Sequence, residues 1–371
     1  MNSTLAAAPR TGSATVGLDL AAVTRNTRLV RGRTSAAVMA VVKADGYGVG
    51  ALAVARAALA GGATSLGVTG VAEALALRAQ GVTAPVLSWL NPSDTDFRPA
   101  VAAGVDLAVP GLAHLLGMPR GARVHLHLDT GMTRDGAAVG EWARLCEQAA
   151  AAQRSGRLHV VGVMSHLACA EDPRENALQR SRFEDGLRVA RRVGLEPDAH
   201  LAATAATFAD PSSHHDLVRI GAGLLGIDPT GTVPLRGAVT FRAPLTAVRR
   251  VRAGTPVGYG RTWYAPRDTT LGLVPLGYAD GVPRDLAAEA EVSVAGRRCR
   301  VVGRVSMDQT VVDLGQLADL PAPELLLGAD VTVFGPGDDG EPRLSDWARW
   351  SGRLDAELLV GLGRRVHRST T

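Results

Sequence analysis

From Ala36 to about Gly226, short apolar runs alternate with longer stretches whose apolar residues recur at helical spacing. The runs are AAVMAVV, SLGVT, PVLSW, DLAV, RVHLHLD, HVVGVMSH, DAHLAAT and LVRIG. Between most of them lie segments rich in Ala, Leu and Arg, such as ALAVARAALAGG, VAEALALRAQG and ENALQRSRFEDGLRVARRVG, with glycine where a helix would stop. Eight strand-like runs in a β-then-α rhythm predict an α/β fold built as a closed (β/α)8 TIM-type barrel. A doubly wound open sheet is the second choice.

After about Pro234 the texture changes. VTFRAPLTAVRRV, TTLGLVPLGYADG, AEVSVAGRRCRVVGRVSMDQTVVDL and ADVTVFGPG read as β-rich segments bounded by Gly, Pro and Asp turns. They predict a second, all-β or mostly-β domain at the carboxyl end. The boundary falls between Asp228 and Gly237, giving a barrel over 1–235 and a β domain over 236–371, with the chain's first strand free to pack on the second domain. The first dozen residues and the last few are expected to be loose.

Composition narrows the function. A formal charge of +4 comes from 40 Lys+Arg against 36 Asp+Glu, with no block of like charges, and aromatics are only 4%. Nucleic acid and membrane surfaces are therefore poor partners. MNSTLAAAPRTGSATVG lacks a basic start followed by a long apolar run, which leads to the expectation of a cytoplasmic protein. Cys146, Cys169 and Cys299 are too scattered for a disulfide framework or a zinc site.

One residue type is distributed oddly. Lys43, in AVVKADGYGVG, is the only lysine; every other residue in the Lys+Arg count of 40 is arginine. Arginine replaces a surface lysine in most respects, yet its guanidinium stays protonated and cannot form a Schiff base. Lys43 also ends the first barrel strand, on the edge where barrels keep their working residues. Asp129 ends the fifth strand with Arg134 in the loop after it, His166 ends the sixth, Thr204 the seventh, and Arg219 and Gly221 the eighth. The cofactor suited to such a lysine is pyridoxal 5′-phosphate (PLP), an electron sink for a carbanion at an amino acid's α-carbon. In VRIGAGLLG the amides of Gly221 and Ala222 can meet phosphate oxygens, and Thr204 and Tyr47 can add hydroxyl donors. Arg219 would point at the pyridine nitrogen and keep it unprotonated. Taken singly, the lysine also suits a surface position with its stem packed, and the glycines an ordinary turn.

AVVKADGYG, VHLHLDTGMTRDG, GVMSHLA, HLAATAA, VRIGAGLLG, VGYGRTW, VPLGYADGVPR, VVGRVSMDQTVVDL and GLGRRVHR, in that order over nearly the whole chain, closely resemble the alanine racemase family. The resemblance implies a PLP-bearing barrel, a carboxyl-terminal β domain, and a homodimer whose active sites each borrow residues from the partner. It makes Lys43 the cofactor's covalent anchor and the base on one face of the α-carbon, and Tyr259, from the second subunit, the base on the other. His166, hydrogen-bonded between Tyr259 and Arg219, would favour the phenolate. Arg134 would sit near the cofactor's phenolic oxygen and the substrate carboxylate, which the Met307 amide also contacts. Tyr278 would line the entrance, Asp308 and Arg304 would shape the access path, and Asp129 would support its loop.

The family pattern is broken in places. His127 stands where the family usually has a lysine that, as a carbamate, braces the arginine matched by Arg134; here another anion or water must do so, or Arg134 is held more loosely. His125 and His127 share a strand face, but a third metal ligand is lacking nearby. Ala203 and Thr204 replace an Asn-Ser pair, and Val49 replaces a histidine. Ala356 falls where an entrance tyrosine keeps the pocket small, so specificity could relax or move. The expected activity is interconversion of L- and D-alanine by a two-base mechanism. The alternative is a racemase of the same family acting on serine or larger amino acids. A PLP-dependent decarboxylase fits less well, because Cys299 in AGRRCRVVG does not match that class's catalytic cysteine. A PLP-holding protein without activity would lack the second domain and its tyrosine.

Overall fold

A computed structural model describes residues 14–315 and 323–371. Its first strand, β1 (Thr15–Leu18), precedes a run of parallel strands: β2 (Ala37–Val41), β3 (Ser65–Val68), β4 (Val86–Ser88), β5 (Val105–Val109), β6 (Ala122–His127), β7 (Leu158–Met164), β8 (Asp198–His200) and β9 (Leu217–Ile220). Each of the eight apolar runs supplies one of them. They form one eight-stranded sheet in the order β8-β7-β6-β5-β4-β3-β2-β9. The β8 and β9 edges meet through an Ala203–Arg219 bridge, Arg219 N–H donating to Ala202 O at 3.0 Å, which closes the ring. Inside, Met39, Leu87, Ala108, Met164 and Leu217 pack with Trp89 and Ala37. Helices follow most strands; the longest, Pro173–Arg192, starts where Asp172 accepts from Arg174 N at 2.8 Å and Glu175 N at 3.4 Å.

The chain divides into two compact units, Ala21–Arg236 and a second made of Gly237–Thr371 with the segment up to Leu20. The second unit holds β10 (Val239–Pro244), β11 (Ala247–Val251), the short pair β12 (Pro256–Val257) and β13 (Trp263–Tyr264), β14 (Thr269–Val274), β15 (Glu291–Val294), β16 (Arg297–Val301), β17 (Thr310–Asp313), β18 (Asp330–Phe334) and β19 (His367–Thr370). Its main sheet runs β11-β14-β17-β16-β15-β18-β10-β1-β19. β1 pairs antiparallel with β10 and parallel with β19.

Two expectations change here. The last residues are not loose: β19 is a paired strand, and Thr371 N–H donates to Leu18 O at 2.9 Å. The first dozen residues lie outside the described residues. The β domain is also not all-β, because helices form at Leu344–Ser351 and Asp355–Val360. In the first of them Trp347 and Trp350 are buried one turn apart, and Trp347 Nε1 donates to Val333 O on β18 at 2.6 Å.

Candidate active site

Directly after β2 the backbone turns left-handed. Ala44, Asp45, Gly46 and Tyr47 have φ of 52°, 53°, 63° and 60°. For a residue with a Cβ this conformation costs about 1–2 kcal/mol, so three such residues store strain that the surroundings must hold. Glu73, in the helix Val71–Ala79, does much of that holding: Oε1 accepts from Ala44 N at 2.6 Å, and Oε2 from Thr69 N at 2.8 Å. Asp45 Oδ1 accepts from Ala51 N at 2.9 Å and ties the turn to the next helix. The turn presents Lys43 half-buried. Desolvation by burial, then the Arg134 charge, lower its pKa from the usual lysine value, while Glu73 pulls it back up. A neutral amine is thereby more accessible than on a surface lysine.

Arg219, 4% exposed, comes from the end of β9. Nη2 donates to Ser165 O at 2.6 Å, Leu201 O at 3.0 Å and His166 Nδ1 at 3.1 Å; Nη1 donates to His200 O at 2.9 Å and His200 Nδ1 at 3.0 Å. Burial lowers its pKa to about 10, which leaves it charged near neutrality. His166 lies just past β7. Burial, followed by the Arg219, Arg134, Lys43 and His127 charges, lowers its pKa to about 3. It is therefore neutral, and because a guanidinium can only donate, its Nδ1 is bare and its proton sits on Nε2.

Past β9, Gly221 and Ala222 open a short 3-10 turn, Ala222–Leu225. Gly221 N and Gly223 N donate to Thr204 Oγ1 at 3.3 and 3.4 Å. Ala222 N–H donates to the Tyr47 hydroxyl, and burial raises the Tyr47 pKa to about 12. A Cβ built at Gly221 would stand 2.0 Å from Tyr47 Oη. The amides and both hydroxyls thus converge on one spot that only a glycine leaves open.

Arg134 follows a loop in which Asp129 Oδ1 accepts from Gly131 N at 2.9 Å and Thr133 N at 3.0 Å. Its guanidinium makes no hydrogen bond or ion pair among the described residues, although its charge acts on both Lys43 and His166. His127 does not brace it. The imidazole instead lies with Nδ1 3.4 Å from Asp135 Oδ2. No group of three or more His, Cys, Asp or Glu among the described residues could hold a metal ion.

The remaining candidates belong to the β unit. Tyr259 is 69% exposed, between Gly258 and Gly260 at φ of 74° and 72°. Met307 and Tyr278 are exposed too, on loops that lie close together: Tyr278 N donates to Ser306 O at 3.0 Å, and Ala279 N to Met307 O at 2.9 Å. Arg365 clamps these loops by gripping buried Asp280 with two nitrogens and reaching Asp308 Oδ1 at 2.6 Å. Beside the helix carrying Ala356, a cavity of about 260 Å³ is lined by Tyr278, Arg284, Arg353 and Glu357 among others.

Sequence reasoning brought Lys43, Tyr47, Arg134, His166, Thr204, Arg219, Gly221 and Ala222 to one barrel edge, and they stand there. It missed Glu73, His200, Asp280 and Arg365; the last three lie inside the HLAATAA, GYADG and GLGRRVHR blocks. The barrel group also suits a phosphorylated aldehyde. Three cations, Lys43, Arg134 and Arg219, surround a neutral histidine, which favours a phosphate and a substrate carboxylate. One amine among them is able to form an imine.

Residues 18–229 match the family model described as "Alanine racemase, N-terminal domain", and residues 238–370 match "Alanine racemase, C-terminal domain". An alanine racemase of Mycolicibacterium smegmatis is 44% identical over 376 residues, covering 98% of this chain and 95% of that protein. The crystal structure of alanine racemase from D-cycloserine-producing Streptomyces lavendulae superposes with a TM-score of 0.93 at 38% identity, covering 98% of both chains. The alanine racemase of Bartonella henselae, whose crystal structure has covalently bound pyridoxal phosphate, gives a TM-score of 0.86 at 26% identity over 98% of this chain and 100% of that one.

Proposed function

The chain belongs to the alanine racemase family, and from that premise we propose that it interconverts L- and D-alanine as a homodimer, with PLP held covalently at Lys43 Nζ. PLP, when bound, supplies the electron sink that makes the α-proton of an amino acid removable. Lys43, its pKa lowered, takes or returns that proton on one face. Tyr259 of the second subunit does so on the other, since inversion needs a proton donor opposite the acceptor. A free tyrosine titrates near pH ~10. His166 offers Nε2–H to the Tyr259 oxygen and stabilises its anion, while Arg219 on Nδ1 keeps His166 from taking up a proton of its own. Arg134 and the Met307 N–H would bind the substrate carboxylate, and Tyr47, Thr204, Gly221 and Ala222 would hold the PLP phosphate. Arg219, a cation, would serve as the partner of the cofactor's ring nitrogen and disfavour its protonation, which would make the sink weaker.

The observation that carries this reading is the solitary lysine, with lowered pKa, set on the barrel edge that also holds Arg219 and neutral His166. Ala356, at the position where the family places an entrance tyrosine, favours a second reading, in which serine or larger amino acids are also accepted. Incubation of purified protein and PLP with single-enantiomer amino acids, followed by chiral chromatography, tests both. Alanine racemising fastest supports the first, and a bulky amino acid inverted with alanine untouched supports the second. Inversion of none refutes both.

A further inference from the structure

A file of polar groups leads from Arg219 through the barrel interior. Arg219 Nη1 is 3.0 Å from His200 Nδ1, and His200 Nε2 is 2.9 Å from His125 Nδ1. His125 Nε2 is 3.6 Å from Asp106 Oδ2, and Asp106 Oδ1 accepts from Arg123 Nε at 2.7 Å. Donor chemistry fixes every proton along it. The guanidinium can only donate, so His200 Nδ1 is bare and Nε2 carries the hydrogen. That hydrogen faces His125 Nδ1, which must be bare as well, so His125 carries its own hydrogen on Nε2, toward the carboxylate. The file is polarised from a cation at one end to an anion at the other.

Its members are buried: Arg219, His200, His125 and Asp106 are 4%, 0%, 6% and 7% exposed. The barrel makes room for it. A Cβ at Gly162 would lie 2.0 Å from His125 Nδ1, and the β6–β7 register shifts between Val124 and His125. Burial and neighbouring positive charge push the His200 pKa well below its usual value, consistent with a neutral ring. At the Asp106 end, His125 and Arg123 offset burial and hold the carboxyl below the usual range.

We infer that Asp106 and His125 are positioning residues for Arg219. The carboxylate orders the protons of His125 and His200 so that His200 presents a bare nitrogen to the guanidinium and fixes its rotation against His166. If His200 reversed its tautomer, two N–H groups would face each other, and Arg219 would turn away from His166 and from the ring nitrogen it is proposed to face. The kinetic consequence rests on the racemase reading; the tautomer assignment does not.

The test is nitrogen NMR of the histidine rings in full-length protein carrying 15N-histidine, with and without PLP. Nine histidines make assignment by single replacements practicable. In the unaltered protein, His200 and His125 should each show a bare Nδ1 and a protonated Nε2, and the His200 pattern should be unchanged between about pH 6 and 9. In His125→Phe, His200 should become a tautomer mixture and the absorption band of bound PLP should shift. Turnover should fall about tenfold to a hundredfold, the worth of one hydrogen bond to a charged group, with KM for alanine changed less than about threefold. Asp106→Asn should disorder the His200 signals in the same direction. A protonated Nδ1 or charged ring at His200 in the unaltered protein overturns the inference, whether or not either variant folds. So do two variants with unaltered His200 signals. A protein that inverts no amino acid but has these tautomers refutes the proposed function and leaves this inference standing.

Discussion

Gly221 gives the most direct test of the phosphate cradle. Its φ of −118° is negative, so alanine there does not have to enter the left-handed region that favours glycine. The new Cβ would lie 2.0 Å from Tyr47 Oη and 2.9 Å from Cζ. Ordinary non-bonded separation is about 3.5 Å, so the phenol must withdraw by about 1.5 Å. It then loses the Ala222 N–H, worth about 1 kcal/mol, and its own donation to a phosphate, worth about 1.5–3 kcal/mol because that acceptor is charged. The hydroxyl–amide bond is present without PLP, so the change in affinity comes mainly from the second loss and from misplacement of the amides. Gly221→Ala should therefore weaken PLP binding by about tenfold to several hundredfold. The assay is titration of the PLP-free protein followed by absorbance, with urea unfolding of the PLP-free form as a control for folding. That control should fall by only about 1 kcal/mol. Unaltered PLP affinity in a folded Gly221→Ala protein would show that Tyr47 and Gly221 do not share a phosphate. Tyr47→Phe removes the same hydroxyl, so the double variant should lose less than the sum of the two.

Tyr259→Phe should lower racemisation by about 10²–10⁴-fold, the usual reach of one general acid or base, with PLP affinity within about twofold; retained inversion by chiral chromatography would remove Tyr259 from the mechanism. Borohydride reduction followed by peptide mapping should fix PLP to one peptide, that holding Lys43, and to none in Lys43→Arg; a labelled peptide in the variant would refute the anchor. Acid should destabilise the protein through His166. Its folded pKa of about 3 lies below the ordinary ~6.5, so between those values the unfolded chain binds more protons and stability drops as pH falls, by at most about 1.4 kcal/mol per pH unit. Urea unfolding at several pH values should give a shallower slope in His166→Leu; an identical slope contradicts the buried neutral ring.

The barrel was legible because its strands are short and continuously apolar, as parallel strands buried on both faces must be. Each run from AAVMAVV to LVRIG became one strand, and the residues just past the runs came together on one edge. What stayed hidden was set by contacts remote in sequence. His125 meets His200 across 75 positions, and neither spacing nor period along the chain signals that pair. The HLH stretch therefore posed a metal question when its first histidine belongs to Arg219's support. Glu73 reads as an ordinary residue in a helix's first turn, yet its carboxylate also holds Ala44 N, 29 positions away. In the β unit, LSDWARWS is barely two turns long and half polar, too short for its period to outweigh the β-rich segments around it. The carboxyl-terminal strand was missed because its partner, β1, comes from the other end of the chain.

The solitary lysine and the abundance of arginine have a common electrostatic logic. Lys43 sits near Arg134, whose charge joins burial in lowering the amine's pKa, and Glu73 restrains that shift from the other side. An arginine at position 43 would meet the same neighbours and keep its proton, because its intrinsic pKa is too high for such a field to remove it. Arg219 shows the converse. Full burial lowers its pKa only to about 10, so it remains a cation among backbone carbonyls and two histidines and donates to a ring nitrogen of each. A lysine there would offer three donors from a single nitrogen and lose its charge more readily. It could not span Ser165 O, Leu201 O and both imidazoles with fixed geometry. Each cation type therefore stands where the other would fail: one must give up a proton to react, and the other must hold its protons to orient its neighbours.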